Sequence, residues 1–290
     1  MKKVLCVILA VLVFAGVAGS LEMRVIRLGL LSKLNTSEEE FTPLWRRTFA
    51  PQNEALDVVV KFYESLTAML MALNAGEIHQ MVLPEASAQY VMTANPELEA
   101  SLVLTSRGMG LSFGFRAGDE ELRKKFNEAI DYLRSNWTLG ALEGMYIASN
   151  GHVTPEPVEF AKIDRAATIR VAVTGDLPPI DYIAPDGTPA GFNTAVLAEI
   201  GRHLGVNVEL VEVDAGARTA ALASGRADVV FWYEVDTESE TQPDIPEGVI
   251  VSQPYYEWTK FIHVRKALRR DAPAKWDIKN SILDLFGFGR

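Results

Sequence analysis

Apolar and polar positions along the chain follow one pattern twice. In the first copy, residues 26–31 and 57–63 have the composition of strands, and residues 65–74 form an apolar helix that ends at Gly76. A glycine just past a helix permits the left-handed conformation that ends it. Residues 81–83 are continuously apolar, which is typical of a parallel strand that is covered on both faces.

The second copy begins after residue 168. Residues 169–173 and 207–213 are strand-like, residues 217–223 form a helix that ends at Gly225, and residues 229–231 complete the pattern. Repeated strand, helix and strand segments are the signature of parallel α/β units. We therefore predict the α/β class, with two similar lobes, each a mostly parallel sheet flanked by helices.

The segment between the two copies predicts a linker. Residues 151–168 lose the periodicity and contain Pro155 and Pro157. An amphipathic helix precedes this segment, and its apolar stripe consists of Leu122, Phe126, Ile130 and Leu133.

Composition limits the function classes. A length of 290 residues suggests two domains. With 28 basic and 38 acidic residues the net charge is -10, so the chain has no basic excess with which to bind nucleic acid. We expect no nucleic-acid partner. The single cysteine, Cys6, cannot form an internal disulfide.

The N-terminus has the composition of a secretory signal peptide, which we assign to residues 1–19. Two lysines precede the apolar run 4–18, and small residues follow it. Cleavage there predicts export across the inner membrane to the periplasm or cell surface. The alternative is an uncleaved anchor, because the charge-free stretch 4–21 reaches the lower limit for crossing a bilayer.

Four stretches share the features of one protein family. Residues 169–204 combine a strand, a proline-aromatic loop, a glycine turn, Gly-Phe and a helix, while 221–228 read ALASGRAD, 252–256 read SQPYY, and 120–147 form closing helices. These stretches resemble the bacterial solute-binding proteins of family 3, the polar amino-acid type. Members of that family are extracytoplasmic receptors of ABC importers.

The resemblance implies a two-lobed periplasmic-binding-protein fold of type II, with the lobes in permuted order. Residues 22–150 resemble the family's second lobe, residues 169–265 resemble its first lobe, and residues 266–290 form a C-terminal tail. Two arrangements fit this inverted order. One is circular permutation within a single chain, and the other is a fragment of a tandem receptor array.

Receptors of this kind close two lobes on a ligand, so the candidate site residues are polar or aromatic groups at strand ends and helix starts. On the first lobe in the chain they are Asn35, Thr36, Ser37, Tyr63, Glu64 and Glu85. On the second they are Asp176, Asp181, Tyr182, Arg218, Trp232, Tyr233 and Glu234. Glu85 is the best match to the acid with which the family holds an amino group.

One departure from the family bears on the ligand. Family members place an arginine shortly after the third strand to clamp an α-carboxylate. Here residues 234–240 read EVDTESE, so acidic residues stand where the guanidinium is expected. The sequence therefore favours an amine-bearing ligand, or a carboxylate held by Arg218 or by backbone N–H groups.

Enzymatic functions fit less well. Residues 110–114 match the G-x-S-x-G pattern, but they lie in an alternating run without a following helix. The four histidines are isolated, so we predict no metal site and no cofactor. We expect a monomeric, non-enzymatic receptor that delivers a small polar solute, an amino acid or amine, to an ABC permease and meets the membrane through that permease or an uncleaved N-terminus. The alternative is a periplasmic enzyme on the same fold, such as a dehydratase of small carboxylic acids.

Overall fold

We describe the protein from a computed structural model. The described residues are 24–32, 34, 36–49, 56–152, 157–184, 187–239, 242 and 244–267. The predicted signal peptide and the part of the predicted tail after residue 267 lie outside these ranges.

The elements alternate between strands and helices in both parts of the chain. The first are β1 (Arg24–Leu31), α1 (Glu38–Phe49), β2 (Leu56–Tyr63), α2 (Leu66–Ala75), β3 (Gln80–Pro84), α3 (Glu85–Ala94), β4 (Leu98–Arg116), α4 (Glu120–Ser135) and α5 (Thr138–Leu142), which a π-helical turn follows. The rest are β5 (Thr168–Val173), β6 (Asp176–Leu177), β7 (Asp181–Ile183), β8 (Pro189–Ala190), α6 (Phe192–Leu204), β9 (Asn207–Glu212), α7 (Arg218–Ala223), β10 (Val229–Asp236), β11 (Val249–Val251) and β12 (Tyr256–Lys266).

Nine described strands form one sheet in the order β2-β1-β3-β12-β4-β10-β5-β9, and β11 pairs with β4. The same arrangement occurs at both ends of this sheet. At one end β2, β1 and β3 are parallel and β12 follows antiparallel; at the other, β9, β5 and β10 are parallel and β4 follows antiparallel. We call residues 24–97 half A, residues 117–255 half B, and β4 and β12 the hinge strands.

The predicted α/β class is confirmed, and the three core strands of each half are parallel. The sequence suggested a separate sheet for each lobe, whereas the structure joins the two. The reason is the length of β4, whose 19 residues pair with β12 and then with β10 and β11.

The local signals that the sequence offers are visible in α2. Its N-cap Ser65 accepts a hydrogen bond from the Ala68 N–H at 3.0 Å, and Gly76 takes a left-handed φ of 76° at the C-terminus. The helix therefore begins after Ser65 and ends at Gly76, close to the bounds that the sequence predicts.

Helix α4 buries the predicted apolar stripe against half B. Phe126, Ile130 and Leu133 belong to the same core cluster as Val171 of β5 and Val196 of α6. The closing helices therefore pack on half B, although they precede the linker in the chain. How the chain divides into lobes stays a prediction.

An aromatic core ties β4 to half B. The ring of Phe113 stacks on Tyr255 at 4.4 Å and meets the edge of Phe126 at 5.2 Å. The Tyr255 hydroxyl, itself buried, donates to the Phe231 carbonyl at 3.1 Å. Residues 110–114, the G-x-S-x-G match, are thus an interior stretch of β4.

Among the described residues, no helix combines the length and the apolar character that crossing a membrane requires.

A buried histidine on β12 predicts how stability depends on pH. His263 is fully buried with its Nδ1 2.8 Å from Oε1 of Gln80, and burial lowers its pKa from 6.5 to about 4. Because the unfolded chain binds the proton first, the stabilisation is complete above pH 6.5 and is lost as the pH falls towards 4. The loss should be about 3 kcal/mol.

Chemical denaturation of the wild type and of His263→Gln at several pH values measures this loss. The variant should show a flatter pH profile between 6.5 and 4, and exposed His152→Gln should keep the wild-type profile. Equal pH profiles for the wild type and His263→Gln would count against a neutral buried imidazole.

Candidate functional site

The parallel strands of half A end at an edge that contacts half B. Ser32, Glu64 and Glu85 directly follow β1, β2 and the end of β3. Two hydrogen bonds cross from this edge to half B. The Gly216 N–H donates to Oε2 of Glu64 at 3.0 Å, and the Leu34 N–H donates to an Asp244 oxygen at 2.8 Å.

Glu64 links the two halves directly. Its second oxygen accepts from the Ser32 hydroxyl at 2.7 Å, so half A holds the carboxylate in place. Gly216 lies in the 3-10 turn Ala215–Ala217 just before α7. Exposed N–H groups before a helix are where a carboxylate is bound favourably. The chain itself supplies that carboxylate here.

The loop after β1 also reaches half B. Leu34 packs against the cluster that contains Val213, Leu222 and Tyr233. Of the three predicted loop residues, Asn35 lies outside the described residues and Thr36 is half-buried. Ser37 exchanges hydrogen bonds with Glu40 as the capping box of α1.

The hinge cavity, with a volume of about 320 Å³, lies where Glu85 approaches β12. Its lining is Glu85, Gly108, Tyr256, Glu257, Trp258, Thr259 and Lys260. β12 pairs with β3 only from Phe261 onwards, so within the described part of the chain the stretch before it has a free edge. One oxygen of Glu85 accepts from Lys260 Nζ at 3.1 Å and from Gln89 Nε2 at 3.4 Å.

Negative charge collects around Tyr256 of the hinge cavity. Burial and, to a smaller degree, the carboxylates of Glu143 and Glu85 together raise the pKa of Tyr256 to about 12. Burial also raises the pKa of Glu143; Arg134 opposes this and Glu257 adds to it.

Tyrosines meet across the cleft. The rings of Tyr90 in α3 and Tyr182 in β7 lie 6.2 Å apart with an angle of 40° between their planes. Burial raises the pKa of Tyr182, as do Tyr90 and Tyr146 to a smaller degree. The sequence predicted Tyr182 at the cleft and missed the other two, because neither directly follows a strand.

Asp181 supports the loop that precedes it. It is 2% exposed, and Oδ2 accepts from the Thr174 N–H at 3.1 Å, the Thr174 hydroxyl at 2.9 Å and the Gly175 N–H at 3.1 Å. Burial raises its pKa, and these hydrogen bonds and Arg218 lower it. The side chain of its predicted companion Asp176 lies outside the described part of the structure.

Arg218 is buried in half B, where its hydrogen bonds hold two backbone segments together. It is 2% exposed, with Nε donating to the Ala215 carbonyl and Nη1 to the Trp232 carbonyl, each at 2.8 Å. Its guanidinium lies 4.3 Å from the centre of the Trp232 ring. Burial lowers its pKa, and the charges of Tyr233 and Asp244, among others, raise it.

The remaining predicted residues are mostly interior. Trp232 is 9% exposed and Tyr233 is 1% exposed, with its hydroxyl 3.2 Å from that of Thr219. Tyr63 is half-buried at the end of β2, where burial raises its pKa. Glu234 is partly exposed in β10. The structure thus places Glu64 and Tyr182 at contacts between the halves and Glu85 in the lining of the hinge cavity, and it gives Arg218, Asp181 and Tyr233 supporting contacts.

Part of the chain matches a known protein family by sequence. Residues 169–282 match the model of the bacterial extracellular solute-binding proteins, family 3. The match covers less than half of the chain and includes three of the four segments that suggested the resemblance. The resemblance is confirmed for this part, and the permuted order stays a prediction. No curated protein matches the chain.

Solved structures with similar folds come from several functional classes. The ligand binding component of an ABC-type import system from Staphylococcus aureus, with zinc bound, is 12% identical, and the alignment covers 84% of this chain and 66% of that one with a TM-score of 0.41. The "probable amino-acid ABC transporter extracellular-binding protein" of Bacillus subtilis is 10% identical, with coverage of 92% and 94% and a TM-score of 0.45. The reduced OxyR regulatory domain from Pseudomonas aeruginosa is also 10% identical, with coverage of 91% and 95% and a TM-score of 0.41. All three TM-scores lie below 0.5, so these similarities carry no weight for function.

The contacts of Arg218 predict a structural effect. Arg218→Leu should lower the free energy of unfolding by about 2–4 kcal/mol, because the carbonyls of Ala215 and Trp232 lose a charged donor. Chemical denaturation measures this loss. The control is Arg226→Leu, since Arg226 is exposed and donates one bond to the Glu212 carbonyl at 3.2 Å. Equal stability of the two variants would contradict the supporting role.

Proposed function

We propose that the chain is an extracytoplasmic receptor that binds a small polar solute between its two halves and delivers it to an ABC importer. One observation carries this proposal: two half-sheets of the same strand order are joined by β4 and β12, and their strand ends meet across a cleft. Glu64 with Gly216 and Tyr90 with Tyr182 mark the two sides of that cleft.

The hinge strands suit a closing motion. They pair with each other from Tyr256 opposite Leu111 to Lys266 opposite Leu98, and their register shifts between Trp258 and Lys260. Closure about a hinge needs a few element-terminal or irregular residues that absorb the change in backbone angles. The irregular stretch lies at the hinge cavity, where a bound solute would contact it.

The pairing of β4 with β12 supports circular permutation over a fragment of a tandem array. Both hinge strands belong to one chain, so one copy supplies both sides of the cleft. A single copy of the chain would therefore be sufficient to form the receptor. The two lobes would then correspond to half A and half B, so the helices in 120–147 would belong to the second lobe and not, as the sequence suggested, to a lobe 22–150.

The family match supports the remaining parts of the proposal. Receptors of this family act outside the cytoplasm and hand solutes to a permease, which agrees with a signal peptide at residues 1–19. The solute is an amino acid or an amine, in line with the acidic residues 234–240.

The contacts favour binding over an enzymatic role. A dehydratase needs a general acid and base that are free to exchange protons. Asp181 is enclosed by donors from Thr174 and Gly175, and Glu85 is paired with Lys260.

A solute panel tests the proposal. Amino acids, amines, sugars and small carboxylates are added to the purified chain while thermal unfolding and small-angle X-ray scattering are recorded. A true ligand at 100 times its Kd should stabilise the fold by about 2.7 kcal/mol, because it binds only the folded form. The radius of gyration should not increase.

Two variants make this test specific. Glu85→Gln should reduce the stabilisation, and exposed Glu97→Gln should preserve it. The receptor function is contradicted if no solute of any class stabilises the chain, or if the chain converts a solute chemically.

A further inference from the structure

The hinge cavity carries negative charge that no described basic side chain neutralises. Glu257 lines it, and Glu143 lies within electrostatic range of both Glu257 and Tyr256. Neither acid forms an ion pair with a described basic residue. Arg134, the nearest source of positive charge on Glu143, pairs with Asp131 and donates to the Pro254 carbonyl at 2.7 Å.

Lys260 does not supply the missing charge. Its Nζ lies 3.1 Å from Oε1 of Glu85, so these two form a neutral pair inside the cavity lining. A charge within the cavity thus meets Glu257 of the lining, with Glu143 in electrostatic range, and no described lysine or arginine forms an ion pair with either acid.

Several groups that could hold an anion at the edge of half B form hydrogen bonds within the chain. The guanidinium of Arg218 donates to two carbonyls and covers Trp232. The Gly216 N–H is bound by Glu64, and the Thr174 and Gly175 N–H groups are bound by Asp181. A ligand carboxylate would have to displace the chain's own acceptors from these backbone N–H groups.

Two of the seven residues that line the cavity are aromatic. Tyr256 and Trp258 stack with their ring centres 5.8 Å apart, and both are less than 10% exposed. Aromatic faces attract cations, most strongly in sites shielded from water. The volume of about 320 Å³ is at the small end of the range for ligand sites.

We propose that the hinge cavity binds an amine or alkylammonium cation without a carboxylate, and that Glu257 and Glu143 supply its counter-charge. This inference rests on the proposed receptor function and decides between the two ligand chemistries that the sequence leaves open. Lys260 then acts as a specificity-determining residue, because it neutralises Glu85 and limits the negative charge of the site.

Matched probe pairs test the inference by isothermal titration calorimetry on the full chain. Agmatine is compared with L-arginine, and cadaverine with L-lysine, since each pair differs by one carboxylate. Each amine should bind at least tenfold more tightly than its parent amino acid. Succinate, which carries only negative charge, should not bind.

Substitutions assign the effect to the cavity. Glu257→Gln should weaken amine binding at least fivefold, and Glu143→Gln should weaken it as well. Exposed Glu128→Gln on α4 should leave it unchanged. Lys260→Gln should tighten amine binding about threefold, because Glu85 loses its partner.

The outcomes separate this inference from the receptor function. Tighter binding of the amino acids than of the amines overturns the inference, as does equal affinity of the wild type and both glutamate variants. Failure of both amines while another solute stabilises the chain also overturns it and leaves the receptor function standing. If no solute of any class binds, both the inference and the receptor function are contradicted.

Discussion

Backbone hydrogen bonds between β4 and β12 hold the two halves of the molecule in register over 10 paired positions. Each strand also belongs to a half: β12 pairs with β3 of half A, and β4 pairs with β10 and β11 of half B. The two parallel units are therefore brought together by strands that run through both. The shared sheet follows from this one pairing, and the proposed closing motion depends on it.

The chemistry of the cleft follows from how the chain satisfies its own polar groups. Glu64 of half A accepts a hydrogen bond from a backbone N–H of half B. Arg218 and Asp181 form hydrogen bonds within half B and hold its loops in place. The guanidinium of Arg218 and the N–H groups of Gly216 and Gly175 therefore donate to acceptors of the chain itself. Among the described residues, Glu143 and Glu257 near Tyr256 form no ion pair, and the hinge strands change register close by, between Trp258 and Lys260.

The sequence predicts what depends on neighbouring residues. Helix α2 begins and ends close to where Ser65 and Gly76 indicate, and the apolar stripe of α4 is buried as its periodicity implies. The class, the parallel units and the placement of Glu64 and Glu85 at strand ends follow from such signals.

Non-local pairing determines the rest. The hinge cavity depends on β12 crossing beside β3, which no local pattern reveals, so Tyr256 and Glu257 were missed as site residues. Arg218 was predicted at a helix start, but its burial depends on the Trp232 carbonyl of a later strand. Tyr90 lies in α3, which begins at Glu85, and its ring meets Tyr182 of half B.

Distance measurement between the halves tests the central claim most directly. Spin labels at exposed Thr93 of α3 and Glu128 of α4, in a Cys6→Ser background, report the separation by double electron–electron resonance. The account predicts that a saturating solute concentrates the distances at the short end, and that Glu64→Ala shifts the solute-free distances to longer values. If neither the solute nor Glu64→Ala alters the distribution of label distances, the halves do not close about β4 and β12.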